Sequence, residues 1–231
     1  MPNIILQHFN GDLRPLDELS IENIKAYANL VNADYRLITG TPFLRNVKGA
    51  PQDLTSPFHK CHILDSEFDE YDQVLMLDID MFAPKGMTEN VFDLEGVGLY
   101  AATQVSLHNR IARSYPKQAS LNAPYWGGAI YKMDRELRKN LRSHLKEDTK
   151  WMLNYNRPYQ FEDEGVMHTL AFKSNLKHER KWYLNQKWCQ CSFLPKPENA
   201  GFIHVRTKIT PTGPKREKIE NYNSLVLQGI L

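Results

Sequence analysis

Between Tyr71 and Asp80 the chain reads Tyr-Asp-Gln-Val-Leu-Met-Leu-Asp-Ile-Asp, an apolar run that closes on two carboxylates one residue apart. Val74 to Leu77 is too short and too uniformly apolar for a surface helix, and it predicts a strand buried on both faces of a mainly parallel sheet. Ligands of such sheets bind outside the carboxyl ends of the strands, so Asp78 and Asp80 mark a candidate site. Carboxylates so close repel each other unless a proton or a cation lies between them. Hard cations such as Mg²⁺ or Mn²⁺ take a few carboxylates and leave their other positions to water and phosphate oxygens, which suggests a bound diphosphate. An Asp-x-Asp triplet is short enough to arise by chance. Its context raises it here, because Asp78 closes the apolar run and Met81-Phe82-Ala83-Pro84 is expected to leave the sheet through a proline turn. The competing reading is a pair of acids at a strand end and turn. An EF-hand is excluded, because the sixth loop position would be Ala83 where Gly is needed, and Pro84 follows it.

A chain of 231 residues, 42% of them hydrophobic, fits one α/β domain with a full core. Residues 1–208 are expected to form it and 209–231 a basic tail. A net charge of +2 argues against a dedicated nucleic-acid binder, since no excess of cations is present to displace phosphate counterions. Cys61, Cys189 and Cys191 match neither a disulfide framework nor a zinc site. No stretch approaches the roughly eighteen apolar residues of a membrane span, and the start Met-Pro-Asn-Ile-Ile-Leu-Gln-His lacks the pattern of a signal peptide. A soluble, cytoplasmic protein is expected.

Ile4-Ile5-Leu6 predicts the first strand, and Gln7 to Gly11 a loop at its carboxyl end where Gln7 and His8 could hold a base or ribose. Ser20 is a suitable N-cap for a helix over 21–32, whose Ile21, Ile24, Ala28 and Val31 share a face. Tyr35 to Ile38 returns as a strand, and a further helix is expected near 58–69 before the strand ending at Asp78. This β-α-β pattern predicts a mainly parallel central sheet flanked by helices. Thr39 to Pro57, with Pro42, Pro51, Gly40 and Gly49 inside it, reads as an irregular flap beside the site.

Val97 to Ala101 predicts another strand. The spacing Gly96-x-Gly98-x-x-Ala101 imitates a dinucleotide fingerprint, but Asp93 and Glu95 break the strand that should precede it. No acid follows before Met133 to hold a ribose hydroxyl, which argues against hydride chemistry. In that acid-free stretch His108, Arg110, Arg113 and Lys117 are either solvated or face an anionic acceptor. Asp134 starts a helix with Leu137, Leu141 and Leu145 on one face. Glu162, Asp163 and Glu164 open another, with Val166, Met167, Leu170 and Ala171 inward; acids there are favoured by the helix dipole alone. Trp182, Tyr183, Trp188 and Phe193 suit core packing better than a sugar platform. His204 interrupts the apolar run Ala200 to Val205, and a neutral imidazole beside Arg206 and Lys208 suits a site where a metal and a diphosphate supply negative charge. A Pro/Gly hinge at Thr210 to Pro214 precedes Lys215-Arg216-Glu217-Lys218, a tail that either folds over the site or stays loose.

Four segments in order resemble the nucleotide-sugar glycosyltransferases of the GT-A fold. Ser56-Pro-Phe-His-Lys60 through Asp80 is similar to the lysine-bearing helix and Asp-x-Asp strand of that family. Tyr125-Trp-Gly-Gly-Ala-Ile-Tyr131 resembles the glycine-containing strand that lines the sugar pocket, and Phe161-Glu-Asp-Glu-Gly-Val-Met167 the acidic helix start beside the reacting sugar. Gly201-Phe-Ile-His-Val-Arg-Thr-Lys208 is similar to the terminal His…Lys element of family 8 and its relatives. Glu162-Asp163-Glu164 stands where that family has Asp-Gln-Asp, and the last element lacks its glycine. The compact length is similar to that of glycosyltransferases that large algal viruses use on their capsid proteins.

The resemblance implies a single GT-A, Rossmann-like domain that transfers a hexose or deoxyhexose from a UDP-sugar donor to a glycan or glycoprotein hydroxyl, with retention of configuration. It implies Mn²⁺ or Mg²⁺ held by Asp78, Asp80 and His204. Donor contacts are implied for Lys60, Ile79, Trp126, Gly127, Gly128, Arg206 and Lys208. Asp163 and Glu164 are the catalytic candidates, orienting sugar hydroxyls or acting as a base should the enzyme invert. A sugar nucleotidyltransferase is the rival; it needs a glycine-rich, basic phosphate loop after the first strand, and Gln7 to Arg14 holds only Gly11. A carbohydrate-binding module of the same fold without turnover is the third reading.

Overall fold

Ile4–His8 forms strand β1 in the computed structural model, with every residue buried. The structure describes residues 2–47, 54, 56–99, 126–146, 162–177, 179–193, 197–207 and 217–231. Helix α1 (Pro15–Leu30) leads to β2 (Asp34–Ile38), and both β2 and β3 (Gln73–Leu77) pair with β1 in parallel. After β4 (Met81–Phe82) and β5 (Gly98–Leu99) comes the long β6 (Gly127–Asp134), antiparallel to both β3 and β5. Helices α2 (Arg135–Ser143) and α3 (Glu162–Lys173) precede β7 (Tyr183–Leu184), which pairs in parallel with β5. The sheet order is β2-β1-β3-β6-β5-β7, and every strand but β6 points the same way. The expected mainly parallel sheet flanked by helices is present.

The alternation of side chains along a strand builds a separate core on each face. Ile4, Leu6, Val74 and Met76 join Leu137 and Leu141 of α2 and Val166, Met167, Leu170 and Ala171 of α3. Ile5, Leu75 and Leu77 join Ile24, Tyr27 and Ala28 of α1 with Trp188 and Phe202. Beside the carboxyl edge of the main sheet lies a small one, in which β9 (Ile203–His204) is antiparallel to β4 and parallel to β8 (Gln190–Cys191). Helix α4 (Lys218–Leu227) covers it, with Leu225 packed among Leu16, Phe82, Ile203 and Val205. Among the described residues no helix is long and apolar enough to cross a membrane.

Several local expectations are corrected. Helix α1 begins at Pro15, not after Ser20; proline suits the first turn, and Asp17 closes a capping box with Arg14. Ser20 is a buried polar residue on the inward face, donating to the Met81 carbonyl at 2.7 Å and accepting from Gln7 Nε2 at 3.0 Å. Gln7 and His8 belong to β1 rather than to a loop. Met81 and Phe82 form β4 instead of a simple exit turn. The helix expected near 58–69 is a pair of 3-10 segments, Ser56–Leu64 and Ser66–Phe68. Asp65 separates them, extended at φ −67° and ψ 140° while its side chain caps Glu67 N–H. Arg142 of α2 pins this block, donating to the Leu64 carbonyl and to Asp69 Oδ1, each at 3.0 Å. The fully buried Arg138 adds a bond to the Tyr71 carbonyl at 2.8 Å.

Candidate active site

The backbone fixes the acidic pair first. Asp78 N–H continues the ladder to the Ala129 carbonyl at 3.1 Å, and the Asp78 carbonyl accepts from Gln7 Nε2 at 3.2 Å and Met81 N–H at 3.2 Å. The Asp80 carbonyl accepts from Val205 N–H at 2.9 Å, which ties it to the segment after β9. Since β9 pairs with β4, with Met81 opposite His204, the imidazole comes to the acids. His204 Nε2 lies 3.1 Å from Asp80 Oδ1 and 3.7 Å from Asp78 Oδ2. The ligand atoms of Asp78, Asp80 and His204 all lie within 4.8 Å of one another. Two carboxylates and an imidazole form a donor set that could hold a divalent cation of the Mn²⁺ or Mg²⁺ kind.

In front of this group is a cavity of about 460 Å³ lined by His8, Asp78, Ile79, Asp80, His204, Arg206, Thr207 and Lys218. His8 Nε2 is 3.5 Å from Asp78 Oδ1, and the His8 ring stacks on His59. Lys218, the first residue of α4, donates a short hydrogen bond to Asp80 Oδ2.

Behind the acidic pair lies a second cluster, and Lys60 connects the two. Its ammonium is 3.3 Å from Asp78 Oδ1 and 2.9 Å from Asp163 Oδ2, and it donates to the Gly128 carbonyl at 2.8 Å. The Gly128 N–H donates to Glu164 Oε1 at 2.6 Å, and Tyr131 donates its hydroxyl proton to Asp163 Oδ2 at 2.9 Å. Burial alone would lower the Lys60 pKa, but the carboxylates of Asp163 and Asp78 override it and keep the ammonium charged far above its ordinary range. Burial likewise works to raise the Asp78 pKa, and Lys60, with His8 and His204, reverses the effect and drives it well below the usual carboxylate range. The Asp80 carboxyl is also lowered against its burial, chiefly by His204, despite opposition from Asp78. Burial and the two acids push the Tyr131 phenol up, so it serves as a proton donor.

Close packing demands glycine at positions 128 and 201. A Cβ on Gly128 would stand 2.8 Å from Asp163 Oδ2, 3.0 Å from Glu164 Oε1 and 3.0 Å from Lys60 Nζ. A Cβ on Gly201 would strike the Trp188 ring at 2.5 Å. Gly128→Ala is therefore expected to cost about 1–3 kcal/mol of stability by overpacking a charged cluster. Urea denaturation measures it, and a neutral substitution would mean the cluster can spread.

The structure brings Lys60, Asp78, Asp80, Gly128, Asp163, Glu164 and His204 together, with His8, Ile79 and Arg206 on the cavity wall. Gln7 has no exposed surface, and its side chain is held by Ser20, Tyr35 and the Asp78 carbonyl, so it supports the acidic loop from behind. Trp126 is 1% exposed and packs in the core, and Gly127 opens β6 next to Gly128. Trp188 is core, edge-on to Phe202, while Trp182 and Tyr183 are half-buried and Phe193 is exposed. Lys208, the group His108, Arg110, Arg113 and Lys117, and residues 48–53 and 55 of the flap lie outside the described residues. Tyr131, Thr207 and Lys218 were not singled out as site residues from sequence; the basic run containing Lys218 was its only signal.

No family model and no curated protein sequence matches the chain. Solved structures do. A glycosyltransferase involved in glycosylation of the major capsid of the virus PBCV-1 superposes with TM-score 0.56 at 11% identity, covering 98% of this chain and 100% of that one. An active-site mutant of LgtC matches with TM-score 0.52 at 13% identity, over 98% of this chain and 96% of the other. Mouse xyloside xylosyltransferase 1 matches with TM-score 0.51 at 12% identity, over 88% and 97%. The chain has the GT-A glycosyltransferase fold.

Proposed function

We propose that the protein is a metal-dependent glycosyltransferase that moves a hexose or deoxyhexose from a UDP-sugar to a hydroxyl of a glycan or glycoprotein, with retention. The observation that carries this reading is the meeting of Asp78, Asp80 and His204 at the carboxyl end of β3, with the Lys60–Asp163–Glu164 cluster directly behind. Support also comes from the neighbours, all named as glycosyltransferases, and from LgtC, a galactosyltransferase solved with donor and acceptor sugar analogues.

In this reading Asp78, Asp80 and His204 hold a Mn²⁺ or Mg²⁺ ion, which would supply Lewis-acid neutralisation of charge on the departing diphosphate. Arg206 and Lys208 add fixed positive charge on the diphosphate side. Lys60 and Tyr131 both address Oδ2 of Asp163, and we assign Oδ1 to a sugar hydroxyl, with Glu164 beside it. Gly128 lets Asp163, Glu164 and Lys60 close directly onto the strand backbone, which fixes the two acids in place for the sugar. His8 and Ile79 form the wall against the nucleotide.

The test is thermal. At about 100-fold over its Kd, UDP with Mn²⁺ should raise Tm by about 5–10 °C, and EDTA should cancel the shift. Equal shifts with adenosine, guanosine and cytidine diphosphates would remove uridine from the reading, and a full shift in EDTA would remove the metal. Diphosphate release from a panel of UDP-sugars then identifies the sugar.

A further inference from the structure

We propose that Lys218 is an exchangeable counter-ion of the site: its ammonium neutralises Asp80 while no divalent cation is bound, and turns to the donor's diphosphate once one is. The inference rests on the function proposed above and adds a donor-binding residue to it.

Lys218 meets Oδ2 of the carboxylate whose Oδ1 faces His204, so it stands on a group that the proposed cation requires. Lys60 cannot serve Asp80, because it is shared between Asp78, Asp163 and the Gly128 carbonyl. The two partners differ in freedom. Asp80's side chain is 6% exposed and held in the acidic loop, whereas that of Lys218 is 32% exposed and lines the open cavity with Arg206.

Helix preference does not put a lysine there. Lys218 occupies the first turn of α4, where the dipole disfavours a cation and where Glu217 and Glu220 form the capping box. A residue placed against its local preference indicates a demand from the site. The helix itself is fastened, by Asn221 donating to the Arg206 carbonyl at 2.6 Å, by buried Leu225, and by Lys85 N–H donating to the Ile230 carbonyl at 2.8 Å. Exchange is thus a swing of one flexible side chain. A divalent cation on Asp80 repels the ammonium, and an arriving diphosphate offers it new negative oxygens within the same cavity.

The experiment measures Mn²⁺ alone by titration calorimetry on the wild type, Lys218→Met, Lys218→Arg and Asp80→Asn, then UDP at saturating Mn²⁺. Lys218→Met should bind Mn²⁺ about two- to fivefold tighter, the range for a partly exposed ion pair. It should bind UDP about tenfold more weakly through loss of a charge-assisted contact, and Lys218→Arg should restore both towards wild type. Unchanged or weaker Mn²⁺ binding by Lys218→Met overturns the counter-ion role, and unchanged UDP binding overturns the exchange. If wild type and Asp80→Asn bind Mn²⁺ alike, the metal reading of Asp80 fails and the proposal with it. If they differ while Lys218→Met matches wild type, only the proposal fails.

Discussion

Lys60→Met is expected to destabilise the protein by about 3–5 kcal/mol, the cost of leaving buried charge without its partner. The lysine is 7% exposed and serves Asp163, Asp78 and the Gly128 carbonyl at once, so its loss removes the ammonium shared by two carboxylates and a buried acceptor. Arginine should not rescue it, because the space beside Gly128 that already excludes a methyl group cannot take a guanidinium. The deficit should depend on pH with a definite sign. Asp78 is held below its unfolded value, so it contributes stability above about pH 4 that is lost as pH falls through its folded value. Lys60 is the largest source of that lowering, so the gap between mutant and wild type should narrow on acidification. Urea melts at pH 7 and at about pH 2.5, inside that window, decide it; a mutant within about 1 kcal/mol of wild type at pH 7 would show that the carboxylates find other partners.

Asp80→Asn is expected to lower transfer by at least about 100-fold while leaving the fold intact. The amide keeps the volume of the carboxylate and removes one of two like charges, so packing is unaffected and the repulsion that opposes Asp80 ionisation disappears. Activity and melting temperature should therefore separate, in contrast to Lys60→Met, where both fall. His204→Ala should show a raised Mn²⁺ requirement in transfer assays. An active Asp80→Asn enzyme with an unaltered metal requirement would move the chemistry away from the strand end.

The parts of the fold legible in sequence are those with a period or a long apolar run. Val74 to Leu77 announced itself because a strand buried on both faces needs no alternation, and Leu137 and Leu141 because they recur on one helical face. Ser20 misled because a hydroxyl before an apolar run looks the same whether it caps a helix or crosses the core to the Met81 carbonyl. The 3-10 block was hidden because arginines on α2, far along the chain, hold it. Asp78, Asp80 and Lys60 could be singled out by motif and order. The meeting with His204 could not be read from periodicity, since it depends on β4 and β9, each only two residues long. Lys218 stands 138 residues from its partner, in a run of basic residues that resembles any solvated tail.

The reversed direction of β6 has a bearing on folding fidelity. Running against β3, it delivers the start of a strand, Gly127 and Gly128, to the place where β3 ends. If β6 slipped by one residue so that Ala129 took the place of Gly128, its methyl would be forced against Asp163, Glu164 and Lys60. A slip in either direction would also exchange Ile130 and Tyr131 between the two cores. The catalytic candidates thus act as a one-sided gauge for the central pairing: a slip that brings Ala129 to the cluster leaves Asp163, Glu164 and Lys60 no room to close on the strand.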